Sequence, residues 1–367
     1  MPARSYLIVE PGLGWLDNAL PEILDGDAEF ACIFLRYSVY GQCLSYIDDA
    51  SLLGSSFFFN GSKVPRWLSN LVRRARSLHS FTDLSDACLG FLFRCLPKFL
   101  PQSIQEPNKS NLIYADFGNE KVFGNRLSDK FRQGTCVHVD HGLNLVFNYS
   151  ERQMNSLERC SYFLCWTSCQ SKFFEEHFGA SRVIKSAYNK LHNPIIWRGA
   201  ACQHDPHRKK IIFISRPLDP AYIKHSDFEV KFESLIRVCI EFGFDIMIKQ
   251  HPKEGSSKPY SRYLGRYHGI EVSLFSGQLS DLSKFNCQFA VSIYTGTVFE
   301  TLSMGVPNIQ LACNSSKLKK STLYQYSDYG VTQIYESGST DELIDYFLAR
   351  NSILQNQTCH MRSLLWG

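Results

Sequence analysis

The chain has 367 residues, of which 44% are hydrophobic, 14% aromatic and 20% charged, with a formal net charge of +4. That balance excludes a disordered segment and a strongly basic nucleic-acid-binding tract, and the length leaves room for two domains. Thirteen cysteines are irregularly spaced, and the nearest cluster, Cys160, Cys165 and Cys169, lacks the close pairs of a zinc site. Reduced, mostly buried thiols are therefore expected. No stretch approaches the ~18 uninterrupted apolar residues of a membrane span. The apolar run that begins at Tyr6 soon reaches Glu10, too early for a signal-peptide core, so a cytosolic location is expected.

Tyr6 to Val9 read as a first strand, Pro11-Gly12-Leu13-Gly14 as the turn leaving it, and Leu16, Leu20, Ile23 and Leu24 as one face of a helix. Glycine at such a first strand-to-helix loop allows the backbone to approach a ligand, which makes Gly12, Gly14 and Asn18 candidate cleft residues; a plain tight turn fits the same residues. Phe30 to Leu35 form a second strand. In residues 51–81, helical from Pro65 on, Trp67, Leu68, Leu71 and Val72 lie beside Arg66, Arg73, Arg74 and Arg76. Such a segment suits an amphipathic helix packed on its domain with the arginines in water, or one lying on an anionic membrane surface.

Leu112 to Ala115 form the next strand, and Thr135 to Val139 another, which ends in Asp140-His141-Gly142. Gly142 permits the turn and sets an acid and an imidazole at a strand's C-terminal end, where a general base would sit; a turn-capping Asp140 is the plainer alternative. Ser161 to Trp166 are a strand, SCQSKFFEEHFG a helix closed by Gly179, and Val183-Ile184 the start of a further run. Residues 197–209 are polar and aperiodic and read as a linker between domains at 1–196 and 210–340, with 341–367 as a helical C-terminal segment.

After the linker, the strand Ile211 to Ser215 ends in Arg216, a candidate for a diphosphate or carboxylate or simply a surface charge. A helix over 227–243 precedes FDIMIKQHPKEGSS, where an apolar strand gives way to Lys249, His251, Pro252 and Lys253, a donor-rich loop suited to an anion. The strand GIEVSLF carries Glu271, and Asp281-Leu282 open a short helix. CQFAVSIYTGTVFETLSMGVPNIQL then runs from a strand through Tyr294-Thr295-Gly296-Thr297 into a helix. Two hydroxyls, a glycine and unpaired amides at a helix start make a phosphate seat, with Glu300 within reach of a sugar hydroxyl or merely complementing the helix dipole. The repeated strand, loop and helix order predicts an α/β protein with parallel sheets.

An HP dipeptide after an apolar strand, Ile246 to Pro252, followed by a hydroxyl pair opening a helix, Thr295 and Thr297, resembles the GT-B glycosyltransferases of bacterial surface polysaccharide synthesis over roughly residues 112–312. Bacterial sialyltransferases and Kdo transferases, which use CMP-sugars, share this pattern, and CDP-polyol transferases of capsule and teichoic acid have a similar layout. The resemblance implies two Rossmann-like domains with parallel sheets facing a central cleft, a last helix crossing back, and inverting, metal-independent sugar transfer without a cofactor, CMP donors being favoured. It further implies that Asp140 matches the first acid of the sialyltransferase base motif, whereas His141-Gly142 matches the His-Gly of the CDP-polyol enzymes, so either side chain is a candidate base. His251, Thr295 and Thr297 would stabilise the leaving phosphate, Glu271 would recognise ribose or base, and Arg216, Lys249, Pro252, Lys253, Gly142, Gly296 and Glu300 would complete the substrate site. Asp25-Gly26-Asp27, far in sequence from the donor loops, is not read as a metal site. Expected partners are a nucleotide-sugar donor and a glycan or lipid-linked acceptor, with contact at the inner membrane face through the basic segment and no nucleic acid. The alternatives are a CDP-polyol phosphotransferase of capsule or teichoic-acid type, a non-catalytic subunit that keeps the fold, and a UDP-sugar 2-epimerase, since those epimerases share the fold and have Ser-Gly and a later glutamate where this chain has Thr295-Gly296 and Glu300.

Overall fold

The computed structural model describes five strands before residue 140 and then residues 142–158, 160–186, 208–216, 223–251, 260–277, 279–313 and 319–365. Gly12, Gly14, Asn18, Asp25 to Asp27, the four arginines of the basic segment, Asp140, His141, Pro252, Lys253, most of the 197–209 linker and the last two residues lie outside the described residues. The chain divides into two compact units. The first comprises Met1–Leu143, Phe147–Asn193 and Trp366–Gly367, and the second Asn144–Val146 and Pro194–Leu365.

The first unit contains β1 (Ser5–Val9), β2 (Glu29–Phe34), β3 (Ser56–Phe58), β4 (Ser110–Tyr114), β5 (Cys136–Val139), β6 (Tyr162–Cys165) and β7 (Val183–Lys185). They form one sheet of order β3-β2-β1-β4-β5-β6-β7, parallel throughout. Helix α1 (Glu151–Leu157) lies between β5 and β6, and α2 (Ser168–Phe178) between β6 and β7. Thr167 and Gln170 start α2 as a capping box, and Gly179, at φ 93°, stops it with its N–H on the Glu175 carbonyl.

The second unit contains β8 (Lys210–Ile214), β9 (Asp245–Lys249), β10 (Gly265–Tyr267), β11 (Ile270–Leu274), β12 (Cys287–Ser292), β13 (Asn308–Leu311) and β14 (Gln333–Tyr335). Their order is β10-β11-β9-β8-β12-β13-β14, and only β10 runs antiparallel. The helices are α3 (His225–Phe242), α4 (Val298–Ser303), α5 (Lys320–Asp328), α6 (Thr340–Leu348) and α7 (Arg350–Leu364). Alternation along β8 explains its unbroken apolar sequence, since Ile211 and Phe213 enter the core under α3 with Phe228 and Phe232, while Ile212 and Ile214 join Met247, Leu282 and Val306 on the other face. A strand covered on both sides has no polar face to show. Gly243 closes α3 in the left-handed region, φ 66° and ψ 35°, its N–H reaching Cys239 and Ile240 carbonyls. No described helix is long and apolar enough to cross a membrane.

Among the described residues no cysteine is in a disulfide, and burial sets the chemistry of the thiols. Removal from water raises the thiols of Cys287 and Cys313 from 9.0 to about 12 and pushes Cys239 well above its ordinary value. Folding holds these protons more tightly, so the stabilisation is full below about pH 9 and disappears as pH rises toward about 12. Alkylation of native protein at about pH 8 is therefore expected to mark exposed Cys359 and spare Cys239, Cys287 and Cys313 until the chain unfolds. Mass spectrometry showing Cys287 modified as fast as Cys359 would refute this.

Candidate functional site

Along the second sheet the chain passes from β8 to β9 on one side and later places β12 on the other side of β8. Connections leaving β8 and β12 thus depart in opposite directions, which opens a crevice beyond their C-terminal ends, where ligands of open α/β sheets bind. Three adjacent parallel strands bring polar residues to that edge: β8 leads into Ser215-Arg216, β9 ends at Lys249 and leads to His251, and β12 leads into Tyr294 to Thr297.

The strand ends are tied together by short bonds. Ser215 donates its backbone N–H to the Lys249 carbonyl at 2.9 Å, and its Oγ accepts the His251 N–H at 3.0 Å. On the other side, Arg216 Nη1 donates to the Tyr294 carbonyl at 2.8 Å while its guanidinium stands 4.3 Å from the centroid of the Tyr294 ring. Tyr294 has φ 24°, a left-handed value that a side chain with a Cβ adopts only under restraint. No carboxylate pairs with Arg216 among the described residues. Thr297 Oγ1 donates to Thr295 Oγ1 at 3.2 Å, so these two hydroxyls act as one polar group at the start of α4.

By sequence, the chain matches no family model and no curated protein. By structure, it is similar to the UDP-GlcNAc 2-epimerase of Neisseria meningitidis bound to UDP-GlcNAc, at 14% identity and TM-score 0.62, covering 96% of this chain and 94% of that one. The UDP-GlcNAc 2-epimerase of Methanocaldococcus jannaschii aligns at 12% identity and TM-score 0.61, covering 98% of each. The wall teichoic acid polymerase TagF aligns at 12% identity and TM-score 0.53, covering 99% of this chain and 84% of that one. The fold is GT-B. At these identities the likeness establishes the α/β architecture with two Rossmann-like units, as the sequence predicted.

Within this GT-B chain the other predicted residues fall in three places. Lys249 and Glu300 join the strand-end group, but the Lys249 amine is turned onto the Gly277 carbonyl beside Phe275. Burial lowers its pKa, against the opposing charges of Asp281 and Glu300. Lys249 thus bonds to the loop after β11 instead of extending freely toward a ligand. Glu271 does not join the group. It sits at the beginning of β11, level with Asp245, whose Oδ1 accepts its N–H at 2.8 Å. Four residues of strand, about 13 Å, separate that level from the end carrying Lys249. A sequence run identifies a strand but not which end of it faces the site, and here the acid precedes the apolar stretch.

Of the candidate glycines, Gly142 and Gly296 lie among the described residues. Around Gly142 no described atom lies within 4 Å of where a Cβ would stand. A Cβ at Gly296 would lie 3.2 Å from Tyr326 Oη, so this position is kept small by α5. Gly142 is held by its carbonyl, which accepts Gln170 Nε2 at 2.9 Å, while Gln170 Oε1 takes the Trp166 and Thr167 N–H groups at 2.8 and 3.1 Å. In the second unit Gln325 Oε1 accepts the Leu145 and Val146 N–H groups at 3.0 and 3.3 Å. Sequence reading missed Ser215, Gln170 and Gln325, because a lone polar residue at an element's end carries no periodic signal. Among the described residues no group of three His, Cys, Asp or Glu is placed to hold a metal ion.

Proposed function

We propose that this GT-B chain is a transferase of bacterial surface-glycan synthesis that takes its sugar from a nucleoside diphosphate donor. Arg216, His251, Thr295 and Thr297 hold the donor phosphates, and Asp140 or His141 removes the acceptor's proton. The observation that carries the reading is the gathering of cationic and hydroxyl donors from three neighbouring strand ends at the switch point of the second sheet. In the reaction the acceptor oxygen attacks the anomeric carbon, the bond from that carbon to the phosphate oxygen breaks, and the nucleotide leaves with the electron pair. Donors aimed at the departing phosphate stabilise its growing charge. A diphosphate is preferred to the CMP-sugar suggested by sequence resemblance because similar structures were crystallised with UDP or UDP-GlcNAc.

Calorimetry with UDP, CDP, GDP and CMP tests the donor class: one diphosphate should bind at least about tenfold more tightly than CMP, and Arg216→Ala should remove most of that difference. Equal binding of CMP would return the assignment to CMP-sugars, and no binding by any nucleotide would remove the reading. Once a donor is found, His251→Ala should lower turnover on the order of 100-fold in folded protein.

A second reading, a UDP-sugar 2-epimerase, is favoured by the higher TM-scores of the two epimerases than of TagF. Incubation with UDP-GlcNAc and no acceptor separates the two: an epimer of unchanged mass supports the epimerase, and an unchanged sugar supports transfer.

A further inference from the structure

The two residues that leave β8 bond to the strand ends on both sides of it, and each bond reaches a predicted ligand loop. Ser215 is only 2% exposed, with its hydroxyl on the His251 N–H and its own N–H on Lys249, so it has no surface to offer a ligand. Arg216 engages Tyr294 twice, through the carbonyl and over the ring, and Tyr294 is the strained residue that starts the Thr295–Thr297 turn. Left unrestrained, a tyrosine at φ 24° relaxes toward negative φ and carries the following threonines with it.

We propose that Ser215 and Arg216 form a positioning pair that fixes the spacing between His251 on one flank and Thr295 and Thr297 on the other. Ser215 contributes nothing to the ligand directly. Arg216 has two tasks, holding the Tyr294 turn through one edge and its stacked face and offering its remaining N–H groups to an anion. A planar five-donor guanidinium can do both at once, whereas an ammonium at the same place cannot stack and bond in this geometry. The functional part of this proposal rests on the nucleotide-binding reading given above.

The first test needs no ligand. Amide exchange at His251 should accelerate at least about tenfold in Ser215→Ala, and return to the wild-type rate in Ser215→Thr, which keeps the hydroxyl; exchange at Ile212 and Phe213 should not change. If Ser215→Ala does not fold, Ser215→Cys, nearly isosteric but a poor acceptor, replaces it. Unchanged exchange at His251 overturns the pair whether or not any nucleotide binds.

The second test is a cycle on nucleotide affinity, with the best-bound diphosphate as probe. Ser215→Ala should weaken binding about five- to tenfold in the wild-type background and have no further effect on top of His251→Ala, since no imidazole is then left to position. Arg216→Lys should retain charge yet lose about tenfold, and Tyr294→Gly, which frees the backbone from strain, should reduce the loss on changing Arg216 to Lys. Equal losses in both backgrounds would mean that Ser215 and Arg216 act independently of the loops, and would overturn the proposal. If wild type binds no nucleotide, the functional reading fails while the exchange result still decides whether the pair holds the loops.

Discussion

Gln357→Leu is expected to lower the melting temperature of the second unit by on the order of 10 °C, although the residue lies on α7 and its side chain hydrogen-bonds only to Asn308 among the described residues. Gln357 and Asn308 are fully buried, and Gln357 bonds to both backbone groups of Asn308, accepting its N–H at 2.8 Å and donating to its carbonyl at 2.7 Å. It thereby pairs backbone groups at the start of β13. The Asn308 side chain continues the network, accepting from Thr301 Oγ1 at 2.7 Å and donating to the Val298 carbonyl at 3.1 Å. Leucine fills a similar volume but leaves the buried Asn308 N–H unpaired, at about 1–3 kcal/mol, and takes one bond from the Asn308 carbonyl. Against a total stability of roughly 5–15 kcal/mol for such a domain, that is a large fraction. Glutamate is the sharper control, because it keeps the acceptor but loses the donor and adds a buried charge, so Gln357→Glu should be at least as unstable near pH 7 and recover partly below about pH 5. A shift under about 2 °C for both variants would show that water or backbone adjustment replaces the side chain. The network also ties α7 to α4, the helix that follows Thr297, so the same measurement reports what anchors the hydroxyl turn.

Most strands were legible because two-sided burial writes itself as short apolar runs. Ile211 to Ser215, Ile246 to Ile248 and the run to Ile293 correspond to β8, β9 and β12 within a residue or two. The short outer elements were not. β10 and β14 have mostly exposed or half-buried residues, so no apolar pattern marks them, and α5, KSTLYQYSD, is polar along most of its length. Strand pairing order was equally hidden, since the placement of β12 beside β8 depends on contacts far apart in sequence.

At the site, sequence could name donors at strand ends because a polar residue following an apolar run in an α/β chain usually sits there. It could not say which donors remain available. Lys249 and Arg216 look alike as cations after strands, yet one amine is turned onto a carbonyl and partly buried, whereas the guanidinium retains donors beyond its bond to Tyr294. The difference lies in the loops they meet, Phe275–Gly277 and Tyr294, which no local pattern foretells. Glu271 lies apart from the strand-end group for the simpler reason of strand direction.

The largest effect on chemistry is expected from Asp140→Asn, which should abolish transfer while nucleotide affinity stays within about threefold of wild type. The pair Asp140-His141 offers a carboxylate and an imidazole as base, and the two leave different pH signatures. A carboxylate near its ordinary pKa of about 4 stays active down to about pH 4–5, whereas an imidazole loses its basic form below about pH 6.5. Asp140 is the better candidate because it matches the first acid of the resembling base motif, while a histidine in the second place departs from it. His141→Ala should then leave measurable turnover, with His141 orienting acceptor or phosphate, and the acid limb of kcat/KM should remain below about pH 5 in that variant. Asparagine is nearly isosteric with aspartate, so loss of turnover with retained binding isolates proton removal from shape. The reverse pattern, an inactive His141→Ala with an active Asp140→Asn and an acid limb near pH 6.5, would make the histidine the base and place this chain's chemistry with the His-Gly pattern of the CDP-polyol enzymes.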